Sequence, residues 1–501
     1  MKICIVGGGT AGWMAANLFA HQWSAKGVDI SLIESPEVGI VGVGEGSTPT
    51  LKRFFQILGI AESEWMPQCN ATYKLNIRFA GWSPQSGIDS YSHPFISQLD
   101  TFTQRAFFVN CRTRRLGLAT HIQPDDFLLN GVLAKHNAGP QTPPNFPFRM
   151  EYGYHFDSHL LGEFLTKLAK KHGVIHKQAK IVNVTKHANG DIASLVTDSN
   201  ENIDADWFVD CSGFASILMQ GHLGVKFNSY KDNLFNDSAV VMPTDCSADI
   251  PVETTSTAIK HGWCWKIPLS HRYGNGYVYS SDFIGPEQAE MEFRQHLGML
   301  DSAQSCRHLK MKVGSLERHW QNNCIALGLA QGFIEPLEAT ALHLVQISIE
   351  IFMDKFEAGG FSCQHQTDYN HSMAQRFSRV RDYIVAHYKL NTRNDSDYWR
   401  ENRDNSHLSD SLLQLLDVWY RREDLEKEIQ RQDLEHHFGT LSWHCLLAGY
   451  GAFPPLADKQ PGSGDLYLEQ NIQQFLQGCA LNFNSHRDNL KRLRAKATRW
   501  S

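Results

Sequence analysis

The sequence has little of what membrane-spanning or nucleic-acid-binding proteins need. No apolar stretch approaches the roughly 20 residues that cross a bilayer. The 47 lysines and arginines are outnumbered by 53 aspartates and glutamates, so the net charge of -6 gives no general attraction for a phosphate backbone. The basic run Lys491–Arg499 is typical of the solvated face of a last helix. We therefore expect no membrane anchorage and no nucleic-acid partner.

Paired cysteines are also missing. The eleven cysteines are scattered from Cys4 to Cys479, with an odd total and no Cys-x-x-Cys pair, which argues against a disulfide framework and against a zinc site. The first residues lack the apolar region and cleavage site of a secretory signal. These absences predict a reduced, cytoplasmic protein that holds no metal.

The composition that is present is that of a globular protein with a large core. The 501 residues are 42% hydrophobic and 11% aromatic, and we expect two modules. The Pro-rich segment 141–148 is the clearest loop or module junction. Residues 323–360 predict a strand and then a long helix that ends at Gly359 and Gly360, and the chain beyond about 361 is mostly helical in pattern.

The first 34 residues predict a β-α-β unit. A β-branched run at residues 2–6 leads into a glycine-rich turn, G-x-G-x-x-G, which opens a helix, and the next strand ends at Glu34, 22 residues after Gly12. In this context the motif indicates dinucleotide binding, because the glycines let the backbone approach a pyrophosphate and Glu34 can accept from a ribose hydroxyl. The alternative is a glycine-rich turn without a ligand.

The chain carries one copy of this motif. A single copy favours one dinucleotide that stays bound, so FAD fits better than a soluble nicotinamide cofactor. Enzymes that reduce their own flavin with NAD(P)H often carry a second such fold. We therefore expect electrons to arrive from a separate reductase or as free reduced flavin.

Two strand segments carry residues of possible chemical use. Trp263 and Trp265 are two apart on a predicted strand that Pro268 ends, so both indoles project from one face and can wall off a cavity. In ATYKLNIRFAGW the alternation places Lys74 on the face opposite Tyr73. Taken alone, Lys74 is typical of a solvated strand lysine.

The segment FIEPLEATAL contains a helix start. Pro336 suits a first helical turn, and free backbone N–H groups near Thr340 and Ala341 can hold an anion if the helix proper begins late. The alternative is an ordinary helix start with no ligand.

Four motifs occur together: GGGTAGW, W-x-W-x-I-P, the lysine in ATYK, and Glu-Pro-Leu-Glu. In this combination the sequence resembles flavin-dependent halogenases of the tryptophan halogenase type. The resemblance extends through VGVGEGSTPTL, YHFDSHLL, VDCSG and CLLAGYG, and so over nearly the whole chain. It implies an α/β fold in which a Rossmann-like FAD-binding module, residues 1–360 with interleaved substrate-site segments around 70–150, joins a mainly helical substrate module, residues 361–501.

The resemblance also implies an activity. Reduced FAD and O2 would convert chloride or bromide to hypohalous acid, which passes through a tunnel to Lys74 and is activated there as a hydrogen-bonded species or a haloamine. Lys74 would deliver electrophilic halogen to an electron-rich ring, and Glu338 would assist it and stabilise the cationic ring intermediate. Trp263 and Trp265 would keep the organic substrate away from the flavin.

Further site residues follow from the same resemblance. For FAD they are Gly7, Gly9, Thr10, Ala11, Gly12, Glu34, Gly44 and Glu45, with backbone contacts from Ile181 and Leu329. For halide they are the backbone amides of Thr340 and Ala341, and for the substrate ring they are His93, Phe95 and Phe438. The implied partners are a flavin reductase and a small indole-like aromatic, and homodimers are common among relatives.

The sequence departs from the family pattern in two places. Where the family has Ser-Thr-Gly after the second glutamate, this chain has Ala339-Thr340-Ala341, and the added β-carbon near the anion predicts a shift toward bromide. The segment 424–437 before Phe438 contains no tyrosine and is shorter than in tryptophan-specific members. Without partners for its charged ends, free tryptophan would bind weakly. We expect an indole without the amino-acid group, or a larger indole-containing molecule.

Two other functions are compatible with the flavin motif. An aromatic monooxygenase would give a hydroxylated product without halide and has no particular need of Lys74 or of the paired tryptophans. A non-catalytic FAD-binding protein would turn over no electron-rich arene.

Overall fold

The structure is a computed structural model, which describes residues 1–37, 39 and 44–497. The strands are β1 (Lys2–Val6), β2 (Asp29–Glu34), β3 (Glu45–Gly46), β4 (Thr72–Lys74), β5 (Asn76–Ala80), β6 (Ser90–Pro94), β7 (Gly153–Phe156), β8 (Ile175–Gln178), β9 (Ile181–Lys186), β10 (Ile192–Thr197), β11 (Asn202–Asp204), β12 (Trp207–Asp210), β13 (Phe227–Ser229), β14 (Ser238–Thr244), β15 (Glu253–Ile259), β16 (Gly262–Pro268), β17 (Tyr273–Tyr279), β18 (Arg307–Lys310), β19 (Gly314–Leu316), β20 (Trp320–Gln321), β21 (Cys324–Ala326) and β22 (Gly332–Phe333).

The α-helices are α1 (Thr10–Trp23), α2 (Thr50–Ile57), α3 (Glu62–Trp65), α4 (Gln104–Arg114), α5 (Pro124–Phe127), α6 (Leu129–Lys135), α7 (Ser158–Lys171), α8 (Pro286–Leu297), α9 (Ala341–Ala358), α10 (Gln366–Lys389), α11 (Asp397–Asp404), α12 (Asp410–Tyr420), α13 (Leu425–Arg431), α14 (Thr440–Gly449), α15 (Leu466–Glu469), α16 (Ile472–Ala480) and α17 (His486–Ala497). Helices α10 to α17 confirm the predicted helical character of the chain beyond about residue 361.

The chain packs into two units that interleave along the sequence. The first unit contains Met1–Asn70, Phe156–Lys231 and Lys312–Ser378, and the second contains Ala71–His155, Asp232–Met311 and the chain from Arg379 on. Segment 141–148 forms no helix or strand and lies inside the second unit, so it is a loop and not a junction between the units. The functional modules 1–360 and 361–501 stay a prediction.

The first unit contains a mostly parallel sheet. Its order is β20-β21-β12-β1-β2-β8, and only the β20–β21 pair is antiparallel. Strands β1 and β2 pair in parallel on either side of α1 in sequence, which confirms the predicted β-α-β unit and the Rossmann-like class. Helix α1 is buried over most of its length because its alanines and apolar residues cover more than one face.

Other local predictions for the first unit are confirmed. Strands β9 and β10 form an antiparallel hairpin that turns at Asn189 and Gly190. Strand β12 is buried and ends before the glycine turn of VDCSG. Helix α9 ends at Ala358, and Gly359 and Gly360 follow it.

The second unit contains a mixed sheet in which the predicted tryptophan strand is central. Its order is β18-β14-β17-β16-β15-β5-β6, with β5 parallel to β15 and the other pairs antiparallel. Strand β4 is not part of this sheet and pairs with β7. The single strand that the alternation in ATYKLNIRFAGW predicts is therefore two strands, which separate at Leu75.

Among the described residues, no helix is both long and apolar enough to cross a membrane, and no group of three or more histidine, cysteine or acidic side chains is placed to hold a metal ion. All eleven cysteines are free thiols.

His319 is a buried histidine of the first unit. Its side chain is fully buried, and neither ring nitrogen has a hydrogen-bond partner among the described residues. The ring stacks on Phe377, with 5.2 Å between centroids. Burial lowers the pKa of His319 to about 3. Because the unfolded chain restores a pKa of about 6.5, unfolding takes up a proton below that pH, and the folded state loses stability as the pH falls from about 6.5 toward 3.

We expect His319→Phe to raise the thermal unfolding midpoint, and to raise it more at pH 5 than at pH 7.5. Phenylalanine keeps the ring contact, removes two unsatisfied nitrogens worth about 1–3 kcal/mol, and binds no proton in the unfolded chain. The proton linkage alone makes the gain about 2 kcal/mol larger at pH 5. Thermal unfolding scans of both proteins at the two pH values measure this.

The matched control is His444→Phe. His444 is also buried, but its Nδ1 lies 2.8 Å from the Thr440 carbonyl and donates to it, so this change should destabilise the protein at pH 7.5. An equal gain from His319→Phe at both pH values would contradict the assigned proton linkage.

Candidate active site

The glycine turn after β1 is open at Gly9, where a ligand can approach. At Gly7 and Gly12 the surrounding protein leaves no space for a side chain. Gly7 has φ +116°, and a β-carbon there would lie 2.1 Å from the Cys211 carbonyl oxygen. A β-carbon on Gly12 would lie 2.0 Å from the Gly7 oxygen. At Gly9 no atom of the described residues lies within 4 Å of such a position. The turn is thus closed by the protein on two sides and open at Gly9, beside the start of α1.

Glu34 ends β2 beside this turn. Its Oε1 lies 2.7 Å from His176 Nε2, and a β-carbon on Gly8 would lie 1.6 Å from its Oε2. The carboxylate is therefore fixed between His176 and the turn. His176 lies on β8, opposite Leu32 of β2, and its ring meets Trp13 edge-on at 5.0 Å. Sequence reasoning missed His176, because only the register of β2 with β8 connects it to Glu34.

The turn that contains Leu329 lies against the start of α1. Residues Gly328–Ala330 form a 3-10 helix, and a β-carbon on Gly328 would lie 2.7 Å from the Ala11 β-carbon. Leu329 is thus placed next to the N-terminal turn of α1, although more than 300 residues separate the two segments.

The remaining predicted cofactor residues lie in the same unit. Gly44 has φ +94°, and Glu45 begins β3. Loss of solvent raises the pKa of the Glu45 carboxyl, a hydrogen bond from Ser158 opposes this, and the charge of Asp157 adds to it. Ile181 begins β9.

The segment EPLEAT forms a short turn and then a late helix start. Pro336–Glu338 is a 3-10 helix, Ala339 has φ +54°, and α9 begins only at Ala341, so the helix proper starts late, which is the condition that anion binding at this segment requires. Thr340 is the N-cap, and its buried Oγ1 has no hydrogen-bond partner among the described residues. An α-helix leaves its first backbone N–H groups without partners of its own. This corner therefore presents a hydroxyl and amide donors, with Glu338 buried two residues earlier.

Lys74 is fully buried, with 0% of its surface exposed. The reading of Lys74 as a solvated strand lysine is therefore wrong. Its Nζ lies 5.5 Å from the centre of the Phe95 ring, which is within the range of a cation–π contact. The alternating pattern gave the wrong exposure for Lys74 because β4 and β5 are buried on both faces by segments that are distant in sequence.

The paired tryptophans project from one face of β16, as the sequence predicts. Their ring centroids are 6.0 Å apart. Trp265 is opposite Gly276 of β17, where a β-carbon would lie 2.1 Å from the Trp265 ring. Gly276 is therefore the residue that allows the Trp265 indole to lie flat on the neighbouring strand. In the sequence, Gly276 in GNGYVY was the residue that could have indicated this close approach.

The predicted substrate residues His93 and Phe438 come together. Their ring centroids are 6.2 Å apart. Tyr383 stacks on Phe438 at 3.7 Å with an interplanar angle of 5°, and the Ser442 hydroxyl lies 3.0 Å from His93 Nε2. The Tyr383 hydroxyl donates to the Ser442 carbonyl at 2.9 Å. Sequence reasoning missed Tyr383 and Ser442, which reach this cluster from α10 and α14.

Two carboxylates just before Phe438 are bonded to protein groups. Glu428 accepts from Arg431 and from the Gln432 amide, at 2.6 Å each. Glu435 accepts from the backbone and hydroxyl of Thr440, at 3.2 and 2.5 Å. Both carboxylates therefore already have partners from nearby residues.

The predicted site residues divide between the two units. The first unit holds Gly7, Gly9, Thr10, Ala11, Gly12, Glu34, Gly44, Glu45, Ile181, Leu329, Glu338, Thr340 and Ala341, and the second unit holds Lys74, His93, Phe95, Trp263, Trp265 and Phe438.

Comparison with known proteins gives one consistent family. A family model described as tryptophan halogenase matches residues 2–462. The chain is 36% identical to tryptophan 6-halogenase SttH of Streptomyces toxytricini, with 93% of each chain covered, and 34% identical to 7-chloro-L-tryptophan 6-halogenase KtzR of Kutzneria sp., with 93% of this chain and 92% of the relative covered. A crystal structure of a tryptophan halogenase from Shewanella frigidimarina superposes with a TM-score of 0.86 at 30% identity, covering 99% of this chain and 98% of that one.

These matches extend over the glycine turn, the strand of Lys74, the tryptophan pair and the EPLEAT corner. The chain therefore belongs to the tryptophan halogenase family, flavin-dependent oxidoreductases that use halide, reduced FAD from a separate flavin reductase, and an aromatic substrate.

Proposed function

We propose that the chain transfers electrophilic halogen to an indole, or to another electron-rich aromatic, through the amine of Lys74. The observation that carries this proposal is the complete burial of that amine beside the Phe95 ring. A lysine that serves solubility lies in water, and a primary amine kept away from water is suited to chemistry with a reactive oxidant that water would otherwise consume. A homodimeric state and a cytoplasmic location belong to the proposal: the first rests on the family resemblance, and the second on the scattered cysteines and the lack of a secretory signal.

The first unit fits FAD on its own geometry. The open position at Gly9 and the N-terminal turn of α1 suit a pyrophosphate, and the fixed carboxylate of Glu34 suits a ribose hydroxyl. We assign Thr10, Ala11, Gly44, Glu45, Ile181 and Leu329 to the same cofactor. When bound, reduced FAD supplies the electrons with which O2 and halide give hypohalous acid.

We expect Gly8→Ala to weaken FAD binding about tenfold or more, because its β-carbon would take the place of the Glu34 carboxylate and break the preformed ribose acceptor. Titration of the oxidised cofactor, followed by flavin fluorescence, measures the Kd without any turnover. Gly478→Ala, where no atom lies within 4 Å, is the matched control and should leave the Kd unchanged. An unaltered Kd in Gly8→Ala would remove Glu34 from the cofactor site.

We assign halide binding to the corner before α9. The Thr340 hydroxyl, which has no partner in the part of the chain that the structure describes, and the backbone amides of Thr340 and Ala341 are donors at the positive end of an 18-residue helix. Ala341 is helical, so its β-carbon costs no backbone strain and acts only through the space it takes beside the anion. A β-carbon there keeps the backbone amides from approaching the anion closely. The proposed preference for bromide rests on this, because bromide is less strongly hydrated and more easily oxidised than chloride and depends less on close amide contacts.

We expect the wild-type protein to brominate faster than it chlorinates when both halides are present in equal amounts. Ala341→Gly restores the family's usual glycine and lets the backbone amides approach the anion closely, which compensates the stronger hydration of chloride, so it should shift the product ratio toward chloride. Mass spectrometry of the mixed products measures both ratios. Equal rates in the wild type, or an unchanged ratio in Ala341→Gly, would contradict the assignment.

The step at Lys74 is a transfer of halogen and not of oxygen. In the haloamine route the neutral amine attacks the halogen of hypohalous acid, an N–X bond forms, the O–X bond breaks, and the oxygen leaves as water with the amine's proton. The arene then takes the halogen and returns its ring proton to the amine. In the hydrogen-bonded route the ammonium orients and polarises hypohalous acid, and no N–X bond forms. Both routes need the amine at the arene.

Two further assignments complete the proposal. Glu338 is buried and would stabilise positive charge that develops on the ring during the transfer. The indoles of Trp263 and Trp265 form a continuous aromatic wall, 6.0 Å between centroids, that would keep the organic substrate from the flavin.

The substrate we propose carries no free amino-acid group. His93, Phe95 and Phe438 offer aromatic surface, and the carboxylates of Glu428 and Glu435 are bonded to Arg431, Gln432 and Thr440. An ammonium that met these two carboxylates would compete with the partners they already have, and an unpaired charge out of water is costly. An indole lacking that group, or a larger indole-containing molecule, avoids this cost.

We expect Lys74→Ala to abolish halogenation of the arene while flavin oxidation and the release of hypohalous acid continue. The arene product is measured by mass spectrometry and the released oxidant by halogenation of an external diketone. Lys266→Ala is the matched control, because Lys266 is an exposed strand lysine of the same unit and lies over the Tyr273 ring.

Retained arene product in Lys74→Ala would refute the role of Lys74. Glu338→Gln should lower turnover by about 10² if the carboxylate stabilises the cationic ring. A loss of tenfold or less would make Glu338 a structural residue.

The function itself is tested by incubating the protein with a flavin reductase, chloride or bromide, and a panel of indoles, phenols and tryptophan. We expect halogen isotope doublets on indoles and little or none on free tryptophan. A hydroxylated product without any halide requirement would instead identify an aromatic monooxygenase.

A further inference from the structure

The strand that carries Lys74 is very short. Strand β4 has three residues and pairs with β7 through Thr72, Tyr73 and Lys74. At Leu75 the chain leaves this pairing, and the Leu75 amide bonds to the Val252 carbonyl at 2.7 Å. The direction of the Lys74 amine therefore depends on what holds the two residues just before it.

The first residue that fixes this segment is His486, which begins α17. Its Nε2 lies 3.2 Å from the backbone nitrogen of Tyr73, which can only donate, and its Nδ1 lies 2.8 Å from the Ile250 carbonyl, which can only accept. These two partners require a neutral imidazole with its proton on Nδ1. Burial lowers the pKa of His486 to about 4, so the ring stays neutral in the working range.

The second is His155 on β7. The Thr72 hydroxyl donates to the Pro268 carbonyl at 2.6 Å, so it can only accept from His155 Nδ1, which lies 3.1 Å away. His155 Nε2 lies 2.9 Å from the Thr254 hydroxyl and can accept a hydrogen bond from it. Burial, and then the charge of Lys74, hold the pKa of His155 well below its usual value.

We propose that His155 and His486 form a histidine clamp, a pair of positioning residues that hold Thr72 and Tyr73 so that the Lys74 amine points in one direction. The inference rests on the proposed role of Lys74. Both rings link β4 to chain segments before or within β15, and neither adds positive charge beside the lysine.

The clamp has a consequence that a purely structural bond would not have. Loosening a three-residue strand displaces the amine that follows it, and a misplacement of about 1 Å costs up to about 10² in rate. Formation of hypohalous acid does not involve this amine. Loss of the clamp should therefore lower the ratio of arene product to oxidant formed, and not the rate of flavin oxidation.

The test measures that ratio in His486→Leu, His486→Gln and Thr254→Val, with reduced FAD, bromide and indole as the probe. His486→Leu should lower it about tenfold or more, because leucine cannot accept from Tyr73. The glutamine oxygen can take the place of Nε2 and should restore most of it. Thr254→Val removes the donor to His155 and should also lower the ratio, which keeps the test open if His486→Leu does not fold.

The matched control is His444→Leu, another buried histidine of the same unit with a pKa lowered to about 4, which should keep the wild-type ratio. An unchanged ratio in both His486→Leu and Thr254→Val would overturn the clamp, and so would an equal fall in His444→Leu. Loss of product in Lys74→Ala together with unchanged clamp variants would refute the clamp alone. Retained product in Lys74→Ala would refute the function on which it rests.

Discussion

The arrangement of the second unit depends on keeping one primary amine away from water. All three residues of β4 are buried, and taking an ammonium out of solvent disfavours its charged form. The Phe95 ring lies against the Lys74 amine, and two imidazoles that their partners keep neutral bond to Tyr73 and Thr72, the residues just before it. Lys74 is therefore a buried lysine and not a surface charge.

In the first unit, two helix starts present backbone N–H groups at the places where we propose that anions bind. Gly7 and Gly12 allow protein segments to pack against the turn, and Gly9 leaves it open to a ligand. In the EPLEAT segment, Ala339 in the left-handed region ends the 3-10 turn, so that α9 begins at Ala341 with Thr340 as its cap. We propose that the helix start is the anion-binding element in both places.

The features that the sequence predicts well are those determined by neighbours along the chain. The β-α-β unit, the end of α9 before Gly359 and the shared face of Trp263 and Trp265 each follow from a local period or from a glycine or proline at a fixed position. The burial of Lys74 could not be predicted from its neighbours along the chain, because the segments that cover β4 are remote in sequence. His176, Tyr383 and His486 were missed for the same reason, since each reaches its partner only through strand register or helix packing.

The central claim is that halogen passes to the arene within the protein, at Lys74, and not as oxidant released into solution. It is tested most directly by running the wild-type reaction with indole while raising the concentration of a thioether that destroys free hypohalous acid. The account predicts that the yield of halogenated indole and the position of its halogen are unaffected by the scavenger. A yield that falls toward zero as the scavenger rises would contradict it.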